Sequence, residues 1–191
     1  MGCGGSASTS KRSEGGAVPL PLVQHWSAAT PWQAFFRANM EHYQLWKAVF
    51  DRVILPGWAL EAFMRSPVRK LLVIGADWCG DAANTVPVLA RLAELVRGME
   101  LRVLDRDSFP EAMDAYRTNG TRSIPIAIAL DPEFKELGHW GPRPAALQAW
   151  VISNKKMIPS PQRYAYAKKW YAKDKGETTL RELLAAVTSD Q

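Results

Sequence analysis

The stretch Lys70–Pro87, KLLVIGADWCGDAANTVP, limits what this chain can fold into more than any other. Leu71, Leu72, Val73 and Ile74 form an apolar run with the length and flanks of a buried strand, ended by Gly75 and Ala76. After Asp77-Trp78-Cys79-Gly80-Asp81-Ala82, the residues Val86, Val88, Leu89, Leu92 and Leu95 recur at helical spacing. Cys79 therefore falls between the end of a strand and the start of a helix. Backbone N–H groups are unpaired at such a junction, and the helix dipole favours an anion there. That is where a usable thiolate belongs. An apolar run from Leu101 to Leu104 completes a βαβ unit, right-handed by the usual rule.

The flanking segments supply further elements. Thr30-Pro31 reads as a helix start, with threonine as N-cap and proline at the first helical position. Trp32, Phe35, Phe36, Met40, Tyr43, Trp46, Val49 and Phe50 then fall three and four apart, which predicts one helix to about Val53 whose stripe packs in the core. A shorter helix is expected from Trp58 to Met64. Beyond the βαβ unit, a helix is expected over 110–117, ended by Asn119-Gly120. A hairpin follows, from Ile124–Leu130 through the turn Asp131-Pro132-Glu133 to Phe134–Trp140. Pro142 or Pro144 opens a helix to Ile152. Two more helical patterns cover 162–173 and 180–187, the last with Thr179 and Glu182 spaced as a capping box.

Trp78-Cys79-Gly80, Pro87 eight positions after the cysteine, and Ser123-Ile124-Pro125 before an apolar strand together resemble the thioredoxin superfamily. Within it the chain looks most like bacterial thioredoxin-family proteins with a Cys-Gly-Asp-Cys motif, except that Ala82 stands where they carry the second, resolving cysteine. The resemblance implies a three-layer α/β fold with a mixed sheet in the order β-α-β-α-β-β-α and extra helices at both ends. On that basis 1–20 is a tail, 21–67 an N-terminal helical extension, 68–153 the thioredoxin-like core and 154–191 a C-terminal helical extension. No internal repeat or second domain is evident.

Cys79 is the candidate nucleophile. A free thiol has a pKa of roughly 8.5, which a helix N-terminus lowers, while Asp77 and Asp81 on either side oppose the thiolate. The balance predicts a moderately acidic thiol. Asp81, in the first helical turn, is also accounted for by the dipole alone. Trp78 offers an apolar platform to a partner. With a cis bond before Pro125, the resemblance implies that the Ile124 backbone faces the cysteine and pairs with an extended substrate. Arg122 is a candidate for a substrate carboxylate. Ala82 cannot resolve a mixed disulfide. Three readings follow. Cys79 acts as a monothiol, resolved by glutathione or another small thiol. Or the fold is a non-catalytic interaction module. Or the chain is a Cys-to-Ala trapping variant, ranked last because nothing nearby looks engineered. Cys3 could serve as a remote resolving thiol by reach alone.

The net charge of +5 is local: seven basic residues and one acid lie between Lys155 and Lys175. That segment reads as a lysine-covered helix with a buried aromatic edge, and no nucleic acid is expected. The three histidines form no metal spacing with Cys79. No phosphate loop or dinucleotide fingerprint is present, and no cofactor is expected. An iron–sulfur cluster shared between two chains is conceivable, with no positive sign of it. Two cysteines cannot build a disulfide framework. No apolar run is long enough for a transmembrane helix, and a cytoplasmic location is expected. Met1-Gly2-Cys3-Gly4-Gly5-Ser6 fits the N-myristoylation pattern, with Cys3 beside it for palmitoylation. A plain tail is preferred for a bacterial chain, and a membrane anchor at Gly2 and Cys3 for a eukaryotic one.

Overall fold

The computed structural model describes residues 21–188. The expected tail and its acylation motif lie outside them. The elements are α1 (Leu22–Ala28), β1 (Thr30–Pro31), α2 (Trp32–Phe35), α3 (Tyr43–Arg52), α4 (Gly57–Arg65), β2 (Lys70–Gly75), α5 (Gly80–Leu95), β3 (Glu100–Asp105), α6 (Pro110–Ala115), β4 (Ile126–Leu130), β5 (Glu136–Trp140), α7 (Ala145–Asn154), α8 (Ser160–Asp174) and α9 (Glu177–Thr188).

The strands form one mixed sheet in the order β1-β3-β2-β4-β5. β2 runs parallel to β3, with Leu71 opposite Leu101, and antiparallel to β4, with Leu72 opposite Ile128. β4 and β5 pair antiparallel through the expected turn. Leu71, Leu72, Val73 and Ile74 are all fully buried, as is every residue from Ala127 to Leu130. Successive side chains of a strand face opposite ways, so helices must cover both sides of the sheet centre. This is the three-layer α/β thioredoxin-like arrangement.

The single helix expected from Thr30 to Val53 is not formed. Thr30 and Pro31 instead pair with Val103 and Arg102 at the sheet edge. The next helix lasts only from Trp32 to Phe35, where Phe36 turns extended, and in the link that follows the Glu41 N–H donates to the Asp77 carboxylate 3.1 Å away. His42, in the left-handed region, then starts α3. The three-and-four spacing was nevertheless meaningful. Trp32 stacks on Phe36 at 4.9 Å and lies 5.4 Å from Phe50, so two short helices feed one aromatic cluster.

The capping box expected from Thr179 and Glu182 is also absent. α9 begins three residues earlier, and the Thr178 N–H and hydroxyl turn back to Asp174. The left-handed Lys175 and Gly176 set this sharp reversal. Thr179 is fully buried with its hydroxyl unpartnered, while the Glu182 carboxylate accepts from Trp140 Nε1 at 2.7 Å and the Ala145 N–H at 2.9 Å. The helix that packs on β5 is α9. It approaches so closely that a Cβ on Gly138 would lie 2.4 Å from the Ala186 carbonyl oxygen. α7 and α8 pack on each other around Leu147, Ala167 and Tyr171.

Candidate active site

The end of β2 and the start of α5 deliver Cys79 to the N-cap of α5. Its Sγ accepts the Ala82 N–H at 3.5 Å and lies 3.6 Å from the Ile124 carbonyl oxygen, to which the thiol donates. Ala82 is fully buried beneath it, and Pro87 is buried inside the helix. The loop before the cysteine is pinned from α3, where Trp46 Nε1 donates to the Asp77 carbonyl at 3.1 Å. The Ile124–Pro125 and Gly141–Pro142 peptide bonds are both cis. Pro125 and Gly141 are in backbone contact, since a Cβ on Gly141 would fall 2.1 Å from the Pro125 oxygen.

Two residues that the sequence did not single out complete the site. Arg143 reaches Asp81 with an N···O distance of 2.5 Å, and the Tyr171 hydroxyl donates to the same carboxylate at 2.9 Å. Asp81 is thus a nearly buried acid held by a cation and a phenol. Arg143 lies in a Gly-Pro-Arg-Pro segment after the last strand, and Tyr171 sits 90 residues from Asp81. Neither spacing carried a signal that they meet.

The thiol is not acidic as expected. Cys79 is only 8% exposed, and burial pushes its pKa above the ordinary value. The Ala82 N–H pulls it down and the Asp81 charge pushes it up, with smaller lowering from the Asp81 N–H and Arg143. Desolvation outweighs the helix N-terminus here, because a thiolate loses more hydration than the two backbone N–H groups return.

The other candidates are more peripheral. Trp78 is 42% exposed, with the Arg106 guanidinium 5.4 Å above its ring. A Cβ on Gly80 would touch nothing, so packing does not require glycine there. Arg122 is bound by both oxygens of Asp114, at 2.7 and 2.6 Å. That pair and Arg117 hold the Asp114 carboxyl at about 2. A substrate carboxylate would have to displace Asp114. Among the described residues no cluster of three potential metal ligands occurs.

A family model described as thioredoxin matches residues 29–158. The chain belongs to the thioredoxin family. No curated protein matches it. Among solved structures it resembles a protein of unknown function from Pseudomonas aeruginosa, with a TM-score of 0.68 and 22% identity over 88% of this chain and 98% of that one. An HIV epitope-scaffold gives 0.66 and 20% over the same shares. At such identity these likenesses show the fold. The matched segment of this thioredoxin-family chain includes Cys79, Asp81, Pro125 and Arg143, and leaves all of α8 and α9 outside it.

Proposed function

We propose that this protein carries out thiol–disulfide exchange with Cys79 as its single nucleophile. The observation that carries this reading is the placement of Cys79 Sγ, at the N-terminus of α5 and 3.6 Å from the Ile124 carbonyl, in a thioredoxin-family chain. The Cys79 thiolate attacks one sulfur of a substrate disulfide. The new Sγ–S bond forms as the old S–S bond breaks, and the departing thiolate takes a proton from water. Position 82 offers no second thiol. A small external thiol such as glutathione then attacks the substrate sulfur of the mixed disulfide, which frees the Cys79 thiolate and leaves that sulfur bonded to glutathione. A second glutathione attacks the glutathione sulfur, so that the substrate leaves as a thiol and the two glutathiones as their disulfide. Electrons come from external thiols, two per disulfide reduced. No resident cofactor is needed. On the resemblance to proteins with a Cys-Gly-Asp-Cys motif, Ala82 takes the position of the resolving cysteine, and Ile124 offers backbone for strand-like pairing.

The test is exchange between glutathione and a small disulfide, catalysed by the full chain. Activity is expected from the natural sequence and none from Cys79→Ser. Equal activity in both would end this proposal.

The burial of the thiol favours a second reading, a protein-interaction module whose turnover no longer matters. It predicts that Cys79→Ser retains every partner captured by the natural chain. Partners lost with the thiol, and released by a dithiol reagent, would contradict it.

A further inference from the structure

From Leu137 to Lys173 the chain contains seven Lys or Arg and no acidic residue. α7, α8 and the turn between them fall within this stretch. Arg143 is taken up by Asp81, and Arg163 bonds the carbonyls of Lys155 and Ile158. Lys155, Lys156, Lys168, Lys169 and Lys173 are exposed and, among the described residues, form no ion pair. At the end of α7, in the turn and one helical turn into α8, three large apolar side chains face solvent: Ile152 is 51% exposed, Met157 75% and Tyr164 71%. Single exposed apolar residues are ordinary. These three lie between the end of α7 and the second turn of α8, with two lysines without counter-charge in the same stretch, so this end of the hairpin offers both apolar and basic side chains to solvent.

We propose that the tip of the α7–α8 hairpin docks on an anionic lipid surface. Lys155 and Lys156 meet the headgroup phosphates and carboxylates, while Ile152 and Met157 enter the acyl boundary and the Tyr164 ring lies at headgroup level. The charge supplies attraction from within a Debye length, and the aliphatic side chains supply the part that salt does not screen. Nucleic acid fits this surface less well. It would gain nothing from Ile152 and Met157, and Tyr166 is already stacked on Trp150 at 3.6 Å. α8 ties the surface to the site, because Tyr171 on the same helix bonds Asp81.

Binding is measured by co-sedimentation of the full, unacylated chain with phosphatidylcholine vesicles, with and without phosphatidylserine. Association is expected only with phosphatidylserine present. Lys155→Glu with Lys156→Glu should weaken it roughly tenfold or more. Met157→Ser with Ile152→Ser should weaken it at constant charge. These side chains are exposed, so an unchanged thermal midpoint will accompany each variant. No association with phosphatidylserine vesicles at low salt overturns the proposal. So does binding that ignores the Met157 and Ile152 changes and is abolished by a single-stranded oligonucleotide, which would assign the surface to nucleic acid.

Discussion

Cys79 and Asp81 oppose each other two residues apart, and Arg143 moderates that opposition. The Asp81 carboxylate raises the thiol, and Arg143 lowers it both directly and by neutralising that carboxylate. Arg143→Gln should therefore move the thiol further up, and Asp81→Asn should bring it down. The measurement is the iodoacetamide alkylation rate of Cys79 against pH. The natural chain should show a midpoint above the roughly 8.5 of a free thiol. Arg143→Gln should also destabilise the fold by about 3 kcal/mol, because it strands a nearly buried carboxylate. Ala82→Cys tests the other half of the site. It places a thiol at the fully buried position whose N–H already bonds Cys79, and insulin reduction by a dithiol should appear. At this scale the sequence was informative about Cys79, Ala82 and Ile124, which sit on contiguous motifs. It was silent about Arg143 and Tyr171, whose roles come from long-range packing. It also misjudged the thiol, since a motif shows the helix N-terminus but not how deeply the sulfur is buried.

Among the elements, α9 against β5 is the contact with least slack. Gly138 adopts a φ of +154°, and an alanine there would drive its Cβ into the Ala186 carbonyl at 2.4 Å. Gly138→Ala should lower the thermal midpoint by several degrees, as a clash with backbone cannot be relieved by a rotamer change. Glu182 joins β5 to the start of α7 by accepting from Trp140 Nε1 and the Ala145 N–H. Glu182→Ala leaves a nearly buried indole N–H without its partner and should cost about 1–3 kcal/mol in denaturant unfolding. The strands and α5 were legible because each is a contiguous apolar pattern. The helix expected from Thr30 to Val53 was misread for a physical reason. Helical spacing survives when two short helices bury their aromatic residues in the same cluster, and the link between them is held at Glu41 by Asp77, far along the chain. The capping box failed for the same kind of reason, because Glu182 is drawn to Trp140 instead of to its own helix start.

At the scale of the molecule, three buried acids among the described residues have raised pKa values: Cys79, Tyr116 and Tyr171, each chiefly through burial. Their neutral forms stabilise the fold. That contribution is complete below about 8.5 for the thiol and about 10 for the phenols, and falls as pH rises from there toward the folded-state values, because the unfolded chain releases these protons first. Denaturation midpoints should decline steadily above pH 9, and Tyr171→Phe should make the decline shallower. No helix among the described residues is long and apolar enough to cross a membrane, so the lipid contact inferred for the α7–α8 tip is a surface one. The central claim is that Cys79, though buried and above its ordinary pKa, is the nucleophile of a monothiol site. Its most direct measurement is peptide-mapped mass spectrometry of the native chain after mildly alkaline incubation with oxidised glutathione. The account predicts a mixed disulfide at Cys79, reversed by excess glutathione. Cys79 unmodified in the folded chain, yet modified once urea unfolds it, would contradict the account.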